Sequence, residues 1–276
     1  MNPIGKFRAH SIRTEGNIFV DPHGQIRTLA HAIQLVTATR KTIVLAPGDY
    51  VEDAPVNWPT LTGVTVLGAG GAAVTRISSL TGTKVIQVTP GLQTSSFTGI
   101  LQGVELVHDL GSQSGIRFDN TAMTKKLGFN IIDCLFSPDD GEVDKSIDVA
   151  VHADADNSIR IYVQGKPGQN EIGGVVYFVV NNLADRLHLE HCWLVGGAIL
   201  LAAGAIQTTN VAKELRVRLF KCIGPTNCIL SGGNATQVVT CLDCFSWTDY
   251  DDNTPEVFAQ LDSSDLIGSH SEVIVD

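Results

Sequence analysis

Aromatic side chains are scarce, 6% of 276 residues, and the three tryptophans, Trp58, Trp193 and Trp247, lie far apart. Composition therefore does not offer the long aromatic-lined groove on which sugar rings stack. Basic residues are in deficit, 19 Lys plus Arg against 29 Asp plus Glu, for a formal net charge of −10. A non-specific nucleic-acid binder or a polybasic membrane module needs a cationic footprint, so no nucleic-acid or membrane partner is expected. Long apolar runs are missing too: the longest stretch free of charged or strongly polar residues, Cys192 to Ile206, is too short for an untilted membrane helix and reads as core. Met1 to His10 holds no apolar h-region, so no secretory signal is expected. Six cysteines are too few to define a disulfide scaffold in a chain this long and are expected to be buried free thiols. An apolar fraction of 43% with 17% charge excludes wholesale disorder.

What is plentiful is glycine, 27 residues, alongside many Val, Ile and Thr, the composition of short strands joined by tight turns. One helical pattern stands out: Leu29, Ala32, Ile33 and Val36 recur at i, i+3, i+4 and i+7, with Thr28 placed to act as N-cap. From Thr42 onward the helical period disappears. Strand-like runs follow one another from Thr42-Ile-Val-Leu to Thr236-Gln-Val-Val-Thr with almost no helix between them, which argues against a βαβ sheet.

Self-similarity selects among the all-β architectures. Phe129-Asn-Ile-Ile-Asp-Cys134, Leu187-His-Leu-Glu-His-Cys192, Val217-Arg-Leu-Phe-Lys-Cys222 and Val239-Thr-Cys-Leu-Asp-Cys244 all read apolar, x, apolar, x, polar, Cys. With Val104 and Val163 taken as the missing members, equivalent positions recur at a period of about 30 residues, the length of one solenoid coil carrying three short strands. Stacked coils place equivalent side chains in columns, so Val104, Cys134, Val163, Cys192, Cys222 and Cys244 are expected to form one interior column. The polar residue before each Cys (Asp133, His191, Lys221, Asp243) is expected at the bend between two walls. A solenoid must shield its ends. The chain therefore divides into an N-terminal arm at 1–27, a parallel β-helix at 28–247 whose cap helix is 28–36, and a polar, acidic C-terminal cap or arm at 248–276.

The segment from Leu29 to Gly71 carries a family likeness: a helix with Ala-Ile-Gln, then Thr-Ile-Val-Leu-Ala-Pro-Gly-Asp-Tyr, Val-Asn-Trp-Pro and Gly-Val-Thr-Val-Leu-Gly-Ala-Gly. In this the chain resembles the pectate-lyase-like right-handed parallel β-helix superfamily. The resemblance implies an all-β solenoid but little about activity, because that scaffold hosts lyases, hydrolases, esterases, epimerases and non-enzymatic virus proteins.

The enzymatic branches are tested motif by motif. Gly48-Asp-Tyr-Val-Glu52 matches the G-x-Y-x-E of pectin methylesterases, but their glutamine pair and catalytic aspartates have no counterpart, and a turn closing the first coil explains the motif better. Asp139-Asp140 and Asp251-Asp252 have the residue type of a hydrolase acid pair. They lack the N-T-D, G-H-G and R-I-K companions, and the W-I-D-H and R-x-P-x-x-R patterns of pectate lyases are missing. His152, Asp154 and Asp156, with Asn157 beside them, could reach a divalent cation from one side of an extended segment, against the plainer reading of a polar turn. Cys241 and Cys244 form a C-x-x-C whose thiols are expected to line different walls. His188, Glu190 and His191 could form a surface acid-base patch, or face solvent or a partner beside Arg216 and Arg218 of the next coil. Asn234-Ala-Thr236 matches a glycosylation acceptor and carries no weight here. No catalytic, cofactor-binding or metal-binding residue is assigned.

Two functions follow from the resemblance. In the first, the chain is similar to non-enzymatic β-helix proteins of tailed-bacteriophage particles: a capsid decoration or cement protein, or a tail-associated one, in the virion after assembly in the host cytoplasm. It would adhere to the major capsid protein or another virion protein, most plausibly as a homotrimer, with Phe7, Ile12, Ile18 and Phe19 and the tail from Thr254 to Asp276 as contact regions. In the second it is a polysaccharide-degrading or glycan-binding tailspike-like protein using wall carboxylates. The first is favoured.

Overall fold

The computed structural model describes residues 16–90, 96–108, 114–119, 126–138, 145–149, 159–165, 170–172, 175–180, 185–190, 192–194, 199–203, 214–220, 223–224, 229–232, 236–242, 245–246 and 272–274. Along these the chain winds repeatedly through three parallel sheets, of ten, eight and seven strands. One coil shows the plan: Phe97–Gln102 lies in the first wall, Glu105–His108 in the second and Ser114–Phe118 in the third, and Leu127–Ile132 returns to the first. Each strand hydrogen-bonds to its equivalents one coil before and after, always in parallel. This is a parallel β-helix, an arrangement consistent with the pectate-lyase-like fold.

Period-2 alternation explains why these residues take it. In the first wall Phe97 and Leu101, then Leu127, Phe129 and Ile131, then Ile159, Ile161 and Val163, then Leu187 and Leu189 are buried, while Asn130, Tyr162 and His188 between them stay partly open. Each fully buried Leu, Ile or Phe is worth about 1.5–3 kcal/mol relative to exposure, so the stacked interior is the main source of stability. Gly99 makes room for aromatics inside: Phe129 packs edge-on against Trp58, with ring centroids 4.9 Å apart, and against Phe118 at 5.1 Å. Trp58 is thus a core residue.

The N-terminal end is closed as expected, with one difference. The helix spans Leu29–Gln34, Thr28 is its N-cap and accepts the His31 N–H, and Leu29 and Ala32 are buried. It does not precede the ladder. Asn17–Val20 is already a first-wall strand, paired with Thr42–Leu45, and the helix is inserted between the two. The ladder therefore begins inside the stretch read as an arm, and Ile18, expected at a partner contact, is fully buried core, while Phe19 is half-buried. Asn-Ile-Phe-Val is four residues long, too short to register as a strand pattern on its own. Phe7 and Ile12 lie outside the described residues. At the other end Glu272–Ile274 pairs with Thr240–Leu242 as the last rung of the first wall.

The expected Cys column needs one correction. Val104, Cys134 and Cys192 are buried at the start of the second wall, but Val163 is not among them: it stands in the first wall, opposite Ile131 and Leu189. The position between Cys134 and Cys192 belongs to Asn170, since Leu135 pairs with Glu171 and Asn170 pairs with Cys192. A longer bend after Gln164 delays the second-wall strand in that coil, and counting by a fixed period lands one wall too early. Cys222 and Cys244 lie outside the described residues.

Candidate functional site

The bend between first and second walls is built by chain geometry. Gly103 (φ 65°) and Asp133 (φ 49°) occupy it in successive coils, both left-handed, and Asp133 is the one non-glycine residue with positive φ among the described residues. Their amides donate onward to the next coil, Gly103 N–H to Ile132 O at 2.9 Å and Asp133 N–H to Gln164 O at 3.0 Å. Just past the bend the thiol sits near two carbonyls: Cys134 Sγ is 3.3 Å from Ile132 O and 3.6 Å from Leu101 O, and Cys192 Sγ repeats this with Glu190 O at 3.5 Å and Val163 O at 3.8 Å. Both cysteines are buried and outside any disulfide, and burial pushes the Cys134 thiol up to about 12. Burial of this kind disfavours the thiolate at Cys134. A cleft of about 380 Å³ opens beside this bend, between Gly68, Gly71, Gln102, Gly103, Asp133 and Leu135.

The G-x-Y-x-E motif belongs to the end cap. Gly48 has φ 150°, and a Cβ there would meet Pro22 Cγ at 2.6 Å. The Tyr50 hydroxyl lies 2.7 Å from Ala46 O and 3.0 Å from Val20 O, tying the first coil closed; burial, with Asp21 adding, raises its pKa. Glu52 accepts the N–H groups of Leu29 and Ala30 at the start of the helix. Burial raises its pKa above the ordinary carboxyl value, opposed by those two hydrogen bonds. Gly48 and Tyr50 close the first coil, as the turn reading expected, and Glu52 holds the cap helix.

Two described wall carboxylates are tied across coils. On the second wall Glu105 receives Arg76 Nε at 2.8 Å and the Ser137 hydroxyl at 2.7 Å, and Arg76 also reaches Asp49 at 3.7 Å. On the third wall Asp148, whose side chain is 5% exposed, has Arg117 and Lys145 each at 3.4 Å and Ser114 Oγ at 3.4 Å. Sequence reading missed these clusters, because Arg117 and Asp148 become neighbours through register alone.

The outer face of the first wall is different. Arg160 stands opposite Arg186, and Arg186 opposite Arg216; one column over, Tyr162 stands opposite His188 and His188 opposite Arg218. Ile159, Ile161, Val163, Leu187 and Leu189 are buried beside them, while Arg160, Tyr162 and His188 stay partly open. His188 Nε2 lies 3.6 Å from Glu190 Oε2 and its ring centroid 6.0 Å from that of Tyr162. The expected neighbourhood of His188 with the arginines of the next coil is therefore present in the register. The column has a sequence signal that was overlooked: Arg160-Ile-Tyr-Val, Arg186-Leu-His-Leu and Arg216-Val-Arg-Leu share one pattern, starting one residue before the repeat that was aligned.

Other sequence candidates cannot be placed. Asp139, Asp140, His152, Asp154, Asp156, Asn157, His191, Lys221, Asp243, Asn234, Asp251 and Asp252 lie outside the described residues. So do Trp247 and the stretch from Thr254 to Ser271. Cys241 is in the first wall opposite Leu219, while Cys244 lies outside. Among the described residues no group of three His, Cys, Asp or Glu could hold a metal ion, and no helix is long and apolar enough to cross a membrane. No protein-family model matches the chain, and a comparison with curated proteins finds no match.

Proposed function

We infer that the chain is a structural, non-catalytic protein of a tailed-bacteriophage virion, a capsid decoration protein or a tail-associated one, acting by adhesion to the particle. The observation that supports this reading is the engagement of the wall carboxylates. Glu105 is bound by Arg76 of the coil before and Ser137 of the coil after, Asp148 by Arg117 and Ser114 of the coil before and by Lys145 of its own strand, and Glu52 holds the cap helix. An acid that must donate or accept a proton during turnover is not served by two standing ion pairs. The same bonds suit a rigid wall, because all but the Lys145–Asp148 pair cross from coil to coil and resist local opening. Adhesion to the major capsid protein or another virion protein as a homotrimer belongs to the same reading.

Quantitative mass spectrometry of purified particles tests it. A fixed, high copy number per particle is the expected result. Turnover of an acidic polysaccharide by the purified chain, with or without calcium, overturns it.

A further inference from the structure

The second wall ends in a strand with one open edge. Gly48–Glu52 is the last strand of the eight-stranded sheet and pairs only with Thr75–Ser79. Alternate residues of a strand turn their N–H and C=O groups to opposite edges. Leu80 N–H donates to Glu52 O at 2.9 Å, so Gly48, Tyr50 and Glu52 face the neighbouring strand, and Asp49 and Val51 turn their groups to the open side. Among the described residues no hydrogen bond meets the Asp49 or Val51 main chain there. Pro22 lies against Gly48, and the helix start meets the Glu52 side chain on the inner side, so the accessible stretch runs from Asp49 to Asp53. Proteins guard such edges with lysine, proline or a bulge, and neither lysine nor proline stands between Gly48 and Asp53. Instead Val51 is 49% exposed, and Leu80, on the neighbouring strand's end, is 58% exposed. Acids flank Val51 on both sides, Asp49 and Asp53, both exposed. With Glu105 they make three acids beside one wall cation, Arg76, which is divided between Asp49 and Glu105; Arg27, in the turn before the helix, donates to Gly24 O.

We propose that this edge docks an extended segment of a partner protein in which Lys or Arg flanks a central aliphatic residue at alternate positions, added to the second wall as a further strand. Main-chain bonds to Asp49 and Val51 hold it, its aliphatic side chain packs on Val51, and its two cations meet Asp49 and Asp53. The order acid, valine, acid reads the same from either end, so the segment is matched in both directions. Its intervening residues are small, because the helix start lies on the inner side. Charge selects this occupant over a second copy of the chain: two such edges paired antiparallel set Asp49 of one copy against Asp53 of the other, and like charges directly opposite are unfavourable. The proposal deepens the adhesion reading and rests on it for the partner's being a particle protein.

The test is fluorescence anisotropy of the full-length protein with dye-labelled synthetic Lys-Ser-Val-Ser-Lys, Glu-Ser-Val-Ser-Glu and a fully backbone-N-methylated Lys-Ser-Val-Ser-Lys. The first is expected to bind at least tenfold more tightly than either of the others, since they lack the cations or the main-chain donors. Val51→Lys is expected to lose at least tenfold in affinity, and Val74→Lys, 47% exposed at the other end of the neighbouring strand, to lose none. No binding of the lysine peptide, equal binding of the glutamate or methylated peptide, or equal loss in Val74→Lys overturns the proposal. So does a dimer in sedimentation that Val51→Lys abolishes, which assigns the edge to a second copy. If Val51→Lys does not fold, hydrogen exchange of the unaltered protein decides. Peptide-dependent protection of the Asp49 and Val51 amides supports the edge, and protection elsewhere contradicts it. Copy number in particles is measured separately: a protein absent from particles that binds the peptide defeats the adhesion reading alone, and one fixed in particles that ignores the peptide defeats this proposal alone.

Discussion

Glu52 holds the cap helix by its first free amide: its carboxylate accepts Leu29 N–H at 2.6 Å and reaches Ala30 N–H at 3.3 Å. The helix has six residues and no acidic residue in its own first turn, so this cross-coil carboxylate satisfies donors that would otherwise be orphaned where Leu29 is buried. Glu52→Ala is expected to cost about 1–2 kcal/mol, the loss of a capping acceptor, measured as a lower urea midpoint with unchanged slope.

The same residue gives a pH signature. Its folded pKa is raised above the ordinary carboxyl value because burial disfavours the charge. The folded state thus binds its proton more tightly than the unfolded chain. The stabilisation is full below the unfolded pKa and is lost as pH rises through the folded one. Glu52→Gln keeps an acceptor and removes the titration. Wild type minus Glu52→Gln stability is therefore expected to fall from pH 4 towards neutrality; a difference that rises over that range contradicts the assignment.

Gly99 is where the core admits no side chain. A Cβ there would lie 2.5 Å from Phe129 Cε2 and 3.2 Å from Trp58 Nε1. Gly99→Ala is expected to destabilise by about 1–3 kcal/mol, the usual cost of overpacking, despite alanine's lower unfolded-state entropy. A thermal melt and a change in tryptophan fluorescence from Trp58 read it out.

Asp133 holds a left-handed backbone at the bend, as Gly103 does one coil earlier. Asp133→Val is expected to cost about 1–2 kcal/mol, since a β-branched residue tolerates that conformation poorly. Asp133→Gly is expected to fall within about 1 kcal/mol of wild type. Denaturant titration of both distinguishes backbone conformation from side-chain chemistry as the reason for the residue.

Much of the fold was legible because a solenoid writes its geometry as repetition. The pattern ending in Cys134 and Cys192 marks the approach to one bend, and Thr28 with Leu29 and Ala32 marks the cap. The misplacement of Val163 has a physical cause: bends accept insertions at little thermodynamic cost, so coil length drifts while wall register does not. Val163 has the burial expected of the column but belongs to the preceding wall; Asn170, polar, gives no hint of its place. The arginine column was hidden for the same reason. Arg160, Arg186 and Arg216 are unequally spaced in sequence and become one feature when the strands are aligned by pairing rather than by counting. The ion pairs of Asp148 and Glu105 needed register in the same way.

Oxidative refolding of Asn170→Cys and, separately, Val163→Cys, with the bridges mapped by mass spectrometry, tests that register most directly. Adjacent rungs at about 4.8 Å fall within the Cα span of a disulfide, so a cysteine at 170 is expected to bridge Cys134 or Cys192, and one at 163 neither. Bridges from 163 with 170 left free would contradict the alignment of coils, and with it the arginine column.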